Sequence, residues 1–598
     1  MKEQSSGKQR SPRSKAKNIL INLIITLAVG AVYFYVALPA LNFQSGELYS
    51  FIGLLCVVYI VCALVTSGFD FGQPVKGKGV HVIQLDFKPR EYLSFIKKQC
   101  LPVGVLLGAV IVVGVVGAVI SMPIFRAGAY RDLLTVEDGD FATDIAQISF
   151  DKIPTLDEAS ANYLGDRQMG TLSDMVSQFE YSNDSTQINY QGRPVRVAPI
   201  DYADLIKWFT NRSQGLPAYV MVDMVTQEAS VVRLPEGEGM KYSNSEPLNR
   251  NVMRHLRFTY PTYMFATPQF EIDEEGRPWW IAPRIVKTIG LFGGTDIQGA
   301  VLMDAITGAC TYYEQEAIPS WVDNVYTPSL IMEQYDYHGT LVNGFINSIF
   351  GQRDVTITTE GSNYIAMNDD VYMYTGVTSA NADQSNLGFL LSNQRTKETK
   401  FYQAPGATER AAQASAMGEV QDLGYTATFP LLLNIAGEPT YFIPLLDATS
   451  LVKSYAMVNV AQYQIVVTAP TVAACEQAYI QTLSSEGVTQ PEALPQTQNS
   501  GVIAEIRSAV MDGNTHYFIR LEGETVYYEL SAADSPLAVI LNPGDRVTLD
   551  HAPQEGEEAA ILTAYGVTLD QAGAAAPSGE SAPSAQPSPT GASGQGED

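Results

Sequence analysis

The chain follows two different hydrophobic patterns. Near its start lie three continuous apolar runs without a charged residue, Ile19 to Leu41, Leu48 to Thr66 and Leu101 to Ile124. Each approaches the ~20 residues that cross a bilayer as a helix. The pattern predicts transmembrane helices over 19–41, 48–66 and 101–124. Beyond residue 125 the apolar residues come in short alternating stretches bounded by Gly, Pro, Asn and Asp, interrupted by segments of helical period.

Helices are expected after Thr155, whose spacing to Glu158 fits a capping box, from Asp201 toward Gly215, from Ser245 to about His255, over 328–350, around 407–424, and from Thr471 to Ser484. Strands fill the intervals. Separate helices among strands, without strict βαβ alternation, indicate α+β with antiparallel sheets over 125–485. A linker follows, and 486–570 reads as about five short strands, the pattern of a small OB-like β-barrel. Residues 571–598 are Ala, Pro, Ser and Gly with terminal acids, a composition that buries no core and is expected to be disordered.

Charge orients this plan. Residues 1–100 carry twelve Lys/Arg against five Asp/Glu, and the rest carries 25 against 59. The basic residues flank the first and third runs, in the tail 1–18 and the segment 67–100, while the short loop between the first two runs holds only Glu47. The positive-inside rule places the tail and 67–100 in the cytoplasm, and everything after the third helix outside. The long first run and the lack of a small-x-small site favour an uncleaved anchor over a signal peptide. The acidic remainder would repel nucleic acid. The absence of ionisable groups from the three runs argues against a transport path. Gly104 and Gly108 form a GxxxG, followed by Gly114 and Gly117, which is a candidate helix-packing face and a route to self-association. Only Cys310 and Cys475 fall outside the membrane-associated part, too few for a disulfide framework; two buried free thiols are expected.

Two strings recur. "VLMDAITGACTYY" (301–313) aligns without a gap on "VMVDMVTQEASVV" (220–232) and "LLSNQRTKETKFY" (390–402), and more loosely on "PLLDATSLVKSY" (444–455). Asp304, Asp223, Asn393 and Asp447 then share one position. "GRPVRVAP", "GRPWWIAP" and "GEPTYFIP" form the second set, placing Arg196, Trp280 and Tyr441 in register. A strand position that accepts Arg is expected to face solvent, so Trp280 should point outward, Trp279 inward, and the three residues become candidate partner contacts; the alternative is that a helix or neighbouring module covers Trp280, the commoner fate of a Trp.

The apolar-x-Asp-x-x-Thr-Gly string, followed by a strand and accompanied by Ala-rich helices such as "ATERAAQASAMGEV", resembles the PepSY type of domain. The copies at 220, 390 and 444 depart from it by losing the Gly. The resemblance spans roughly 150–485. It implies extracytoplasmic binding or regulatory modules, in some cases peptidase inhibitors or parts of membrane sensors.

Catalytic motifs do not emerge. The five histidines are scattered, and no H-E-x-x-H, Cys-x-x-Cys or Gly-x-Ser-x-Gly occurs. "VEDGDFATD" has some calcium-loop spacing but lacks the Gly and Glu such a loop needs. A recurring Asp that becomes Asn in one copy behaves as a turn residue rather than a catalyst. The sequence predicts a non-catalytic, cofactor-free protein of the bacterial plasma membrane that binds a protein partner in the cell envelope. An envelope hydrolase with an unrecognised carboxylate or Ser site, and a scaffold assembling through its helices, are the alternatives.

Overall fold

The computed structural model describes residues 12–66, 89–145, 153–367, 370–380, 385–488, 497–511, 514–532, 535–551 and 561–569. The expected tail 571–598 and most of the expected linker lie outside these residues. So do 1–11 of the basic tail and 67–88 of the basic loop.

Three helices are long and apolar enough to cross a membrane, Asn18–Ala37, Gly46–Thr66 and Lys97–Ile120. Their side chains are mostly exposed, as they must be if lipid is the solvent. The first stops before the expected Leu41, because Leu38 adopts a φ of +52° ahead of Pro39. The third begins at Pro89, inside the expected loop, and ends at Ile120; Pro123 then starts a short new helix, Pro123–Arg131.

Four sheets follow, and they share one strand order. The first contains Phe179–Tyr181, Thr186–Tyr190, Arg193–Tyr202, Ala218–Asp223 and Ala229–Arg233. The second contains Met264–Phe265, Gln269–Ile272, Pro278–Ile289, Gly293–Asp304 and Cys310–Glu314. The third contains Thr356–Thr358, Asn363–Met367, Asp370–Ser379, Ser385–Asn393 and Thr399–Ala407, plus Glu137–Gly139, which adds in parallel at its edge. The fourth contains Thr426–Ala427, Leu431–Ile435, Glu438–Leu446, Val452–Asn459 and Val466–Ala469. In each, the third strand pairs with the first two on one side and the fourth on the other, and the fifth closes a hairpin on the fourth.

A helix precedes every sheet: Glu158–Gly170, Val252–Thr259, Pro328–Thr340 and Glu409–Glu419. Their N-caps are Asp157, Asn251, Thr327 and Thr408, each accepting from a backbone N–H of the first turn. Thr155 is therefore not a cap; its hydroxyl donates to the Met224 carbonyl. The helix expected from Asp201 is shorter, Leu205–Asn211, capped by Asp204.

The sheets cover one another. Val197, Val220 and Val222 of the first sheet share a core with Phe270, Trp280 and Met303 of the second. The opposite face of the second sheet, through Ile281 and Leu302, packs with Met373, Val377 and Leu390 of the third. Tyr441 of the fourth sheet meets Phe389 of the third edge to face, with ring centroids 5.8 Å apart.

This stacking corrects the expected orientation of Trp280. It is fully buried against Phe270 and donates its indole N–H to the Tyr242 carbonyl. Trp279, on the opposite face, is half-buried beside Trp321. Both faces of the sheet are covered, so alternation along the strand does not separate solvent from core.

A second compact unit, 490–598, follows. Within it Thr497–Met511, Asn514–Leu521, Tyr527–Ser531, Ile561–Leu569 and Arg546–His551 close a barrel in that spatial order. Ile519, Tyr528, Leu530, Val547 and Leu549 fill its core. On its surface, hydrogen bonds from Tyr527, Arg507 and Arg520 hold the Glu505 carboxyl down at about 2.

Candidate functional site

The recurring turn is a structural device. Asp304 Oδ1 accepts from the backbone N–H groups of Ile306 (2.8 Å) and Thr307 (2.9 Å), while Gly308 takes a φ of +76°. Asp223 does the same toward Val225 and Thr226, and Asn393 toward Arg395 and Thr396. Only an acceptor oxygen is required, so Asp and Asn interchange. The residue after each turn position donates across the sheet to the start of the long strand: Met224 to Pro194, Ala305 to Pro278, Gln394 to Val371.

The same criterion relocates the fourth copy. Val460 donates to the Pro439 carbonyl and Asn459 Oδ1 accepts from the Gln462 N–H, so the equivalent residue is Asn459. Asp447 caps the preceding hairpin, at the opposite end of the sheet, by accepting from Thr449. The string alignment at 444–455 matched residue types, not strand position.

Charge follows the turn. Arg277, between the Gly and Pro of its string, donates through Nε and Nη2 to Asp304 Oδ2 at 2.9 and 2.6 Å, and Arg193 pairs more loosely with Asp223. In the third sheet the partners have exchanged sides: Asp370 holds the strand-start position, and Arg395 reaches it from the turn.

The three candidate contact residues are not surface groups. Arg196 is buried, bonded to Ser185 and 3.7 Å from the Glu158 carboxylate. Tyr441 is buried, donating to the Ala407 carbonyl and accepting from Asn386. The shared frame position carries contacts between elements of the fold. It tolerates Arg in the first sheet because a buried guanidinium there finds oxygen partners.

Buried carboxylates are similarly occupied. Glu271 is enclosed and pushed up to about 7 by desolvation, against the opposing effect of N–H donors from Asp323 and Asn324 and the Asn324 side-chain amide. It anchors the loop 322–325, whose Asp323 accepts from Asn189 of the first sheet. Burial also raises Glu409, which lies beside Asn386 and Thr359. Both thiols outside the membrane-length helices are free; burial pushes Cys310 up to about 11 and Cys475 to about 12.

The arrangement with most bearing on function is the junction between helices and sheets. The long strands of the second sheet meet in a tight tip, Gly290–Leu291–Phe292, which enters the end of the helical group. Ser121 Oγ accepts from the Leu291 and Phe292 N–H groups at 2.9 and 3.0 Å, and donates to the Gly117 carbonyl. Phe292 packs edge to face on Tyr49 of the second helix. Gly117 makes room, since a Cβ there would stand 2.7 Å from both tip side chains. Gly104, Gly108 and Gly114, by contrast, have nothing among the described residues outside their own helix within 4 Å of where a Cβ would lie, so the close-packed glycine of this run is the one beyond the GxxxG.

A second set of bonds ties the first helix to the sheets. Arg254 Nε donates to the Tyr35 carbonyl at 3.1 Å with its guanidinium over the Tyr35 ring, and Arg257 Nε donates to the Leu38 carbonyl at 2.9 Å. Leu41 N donates to the Pro261 carbonyl, and Gln44 reaches the Lys287 carbonyl. The helix end satisfies its last carbonyls with arginines.

This junction is absent from the sequence reading. Its signal is an apolar hairpin tip, "IGLFGG", where turns facing water are polar. No protein-family model matches the chain. No curated protein matches it either.

Proposed function

We propose that the chain is a membrane-anchored protein of the bacterial cell envelope whose sheets lie outside the cytoplasm and bind or regulate a partner without catalysis. The reading rests above all on the junction, where backbone and arginine bonds fix the sheets to the ends of the first and third membrane-length helices and Phe292 packs on the second. Such a joint holds a large surface at a set height and angle above a bilayer. The basic flanks of the helices support the orientation. We read the four sheets as PepSY-like modules, from their common strand order and shared Asp/Asn turn, and the five-stranded barrel as OB-like, from its order. Among the carboxylates that burial raises, Glu271 and Glu409 accept from buried groups, Glu246 from the Trp208 indole and Asp336 from Thr358, which favours binding over hydrolysis.

Crosslinking from surface positions of the sheets in intact cells, followed by identification of the captured protein, is expected to return an envelope or membrane partner. Ordinary turnover of peptidoglycan, peptide or polysaccharide by the purified full chain would overturn the non-catalytic reading.

A further inference from the structure

Large exposed apolar residues elsewhere in the sheet region stand singly, as at Tyr163, Leu387 and Leu423. Around the junction they are grouped. Helix Leu205–Asn211 exposes Leu205, Ile206 and Phe209, with Ile206 72% exposed. The segment 344–351 exposes Ile346, Ile349 and Phe350, the last at 81%. Helix Pro123–Arg131 exposes Ile124 and Phe125. Soluble surfaces seldom gather apolar side chains in this way unless something covers them.

Each group is tied to a membrane-length helix. Helix 123–131 follows the third helix directly, and Tyr130 donates back to the Ser121 carbonyl. The segment 344–351 packs on that helix through Phe345, with Leu341 and Tyr130 in one small core. Helix 205–211 is held by Arg250, which donates to the Arg212 carbonyl at 2.7 Å. The neighbouring Asn249 accepts from the Tyr35 hydroxyl at 3.0 Å. Phe258, also exposed, packs edge to face on Phe34 of the first helix.

Charge supplies an independent observation. After residue 100 the chain holds 25 Lys/Arg and 59 Asp/Glu. The segments 123–132, 204–212, 246–258 and 344–354 hold eight of those basic residues against four acids, Asp132, Asp204, Glu246 and Asp354, a local excess of Lys/Arg in an acidic region. Apolar side chains beside an excess of Lys and Arg over acids are the composition of elements that lie in a bilayer interface and meet anionic headgroups.

We propose that these segments form a collar that lies in the outer-leaflet interface, with Ile206, Phe209, Ile349 and Phe350 entering the headgroup–acyl boundary. The occupant is lipid, because the patch is continuous with the helix ends and carries the charge opposite to anionic headgroups. The inference needs the helices to span a bilayer but is independent of partner binding.

The test places p-benzoylphenylalanine singly at Ile206, Phe350, Val112 and Leu423 in the full chain, reconstituted in phosphatidylglycerol–phosphatidylcholine vesicles and irradiated. Val112 is an exposed position on the third helix, and Leu423 an exposed position in the short turn Gln421–Leu423 that leads into the fourth sheet. Phospholipid adducts are expected at 206 and 350 as at 112, above the level at 423. Adducts at 112 but not at 206 and 350 would overturn the collar and leave the anchor standing. Adducts from 206 or 350 to a second copy of the chain would equally overturn it. No lipid adduct at 112 would overturn the anchor and the collar together.

Discussion

The second and fourth sheets have the same strand order and close the same hairpin with Asp304 or Asn459, yet their opposite ends differ in chemistry. Where the second sheet turns from its third to its fourth strand, the tip is Gly290–Leu291–Phe292, seated against Gly117 and Ser121. The fourth sheet makes the corresponding turn with the polar run 447–450, "DATS", in which Asp447 caps its own loop and Ser450 takes a φ of +58°. The first sheet fills this place with helix Leu205–Asn211 and its exposed apolar side chains. The Asp/Asn turn keeps one backbone geometry in the first three sheets, and the fourth keeps its acceptor, Asn459, in a loop one residue longer. The opposite loop is free to follow its surroundings, and its character reports where each sheet stands.

The comparison can be broken most forcefully at the frame position. Trp280→Ala should cost about 3–5 kcal/mol in urea unfolding of the full chain, because the indole is wholly enclosed. Tyr441→Phe, which removes a hydroxyl bonded at both ends, should cost about 1–2 kcal/mol. A loss within about 0.5 kcal/mol for Trp280→Ala, the size typical of surface positions, would restore it as a surface contact.

The loops give the next largest contrast. Gly290 has a φ of +62°, and a Cβ there would meet Ser121 at 2.5–3.0 Å. Gly290→Val should cost about 2–4 kcal/mol and loosen the sheets from the helices, detectable as new protease cleavage near Ser121. Ser450→Gly in the fourth sheet should shift stability by less than about 1 kcal/mol. Equal effects would erase the distinction between a seated and a free loop.

The shared turn should respond in graded fashion. Asp304→Ala removes two backbone acceptor contacts and leaves Arg277 only the more distant Glu238 carboxylate, a loss of about 2 kcal/mol. Asn459→Ala, which gives up one neutral contact to Gln462, should cost about 1 kcal/mol.

The smallest test is a pH profile. Burial raises Glu271 to about 7 in the fold, from an ordinary carboxyl value of 4.5. Between these values the native state holds the proton more tightly than the unfolded chain, so stability contributed by this group is greatest below the lower value. It declines as pH rises toward 7 and is level above it. Glu271→Gln should flatten that decline while lowering stability at every pH, since the amide nitrogen cannot accept from the N–H groups of Asp323 or Asn324. Urea midpoints across pH 4.5 to 7 measure both.

Much of this plan was legible because it depends on local rules. Uncharged apolar length marked the three helices, and Asp-x-x-Thr-Gly marked a hairpin through the acceptor geometry of Asp304. What depends on the stacking of sheets was not legible. Trp280 and Trp279 alternate as expected, but both faces are covered, and period 2 carries no information about what lies beyond a face. Asp447 resembled a turn copy because Asx turns recur at both ends of a sheet, and only the partner carbonyl, Pro439 with Val460, identifies which end is which. Gly104 and Gly108 carried a recognised spacing, with Gly117 only further along the same run; its use depends on Leu291 and Phe292 of a distant hairpin reaching it.

Ser121 therefore has a mechanical consequence. Its hydroxyl joins the last turn of the third helix to two adjacent peptide groups of the longest hairpin, whose strands are core to both the first and third sheets. A tilt or rotation of that helix would bear first on this hairpin backbone, because the two acceptor bonds of Ser121 lie between them. The apolar helices and the hairpin central to the stacked sheets are pinned together at one hydroxyl, Ser121.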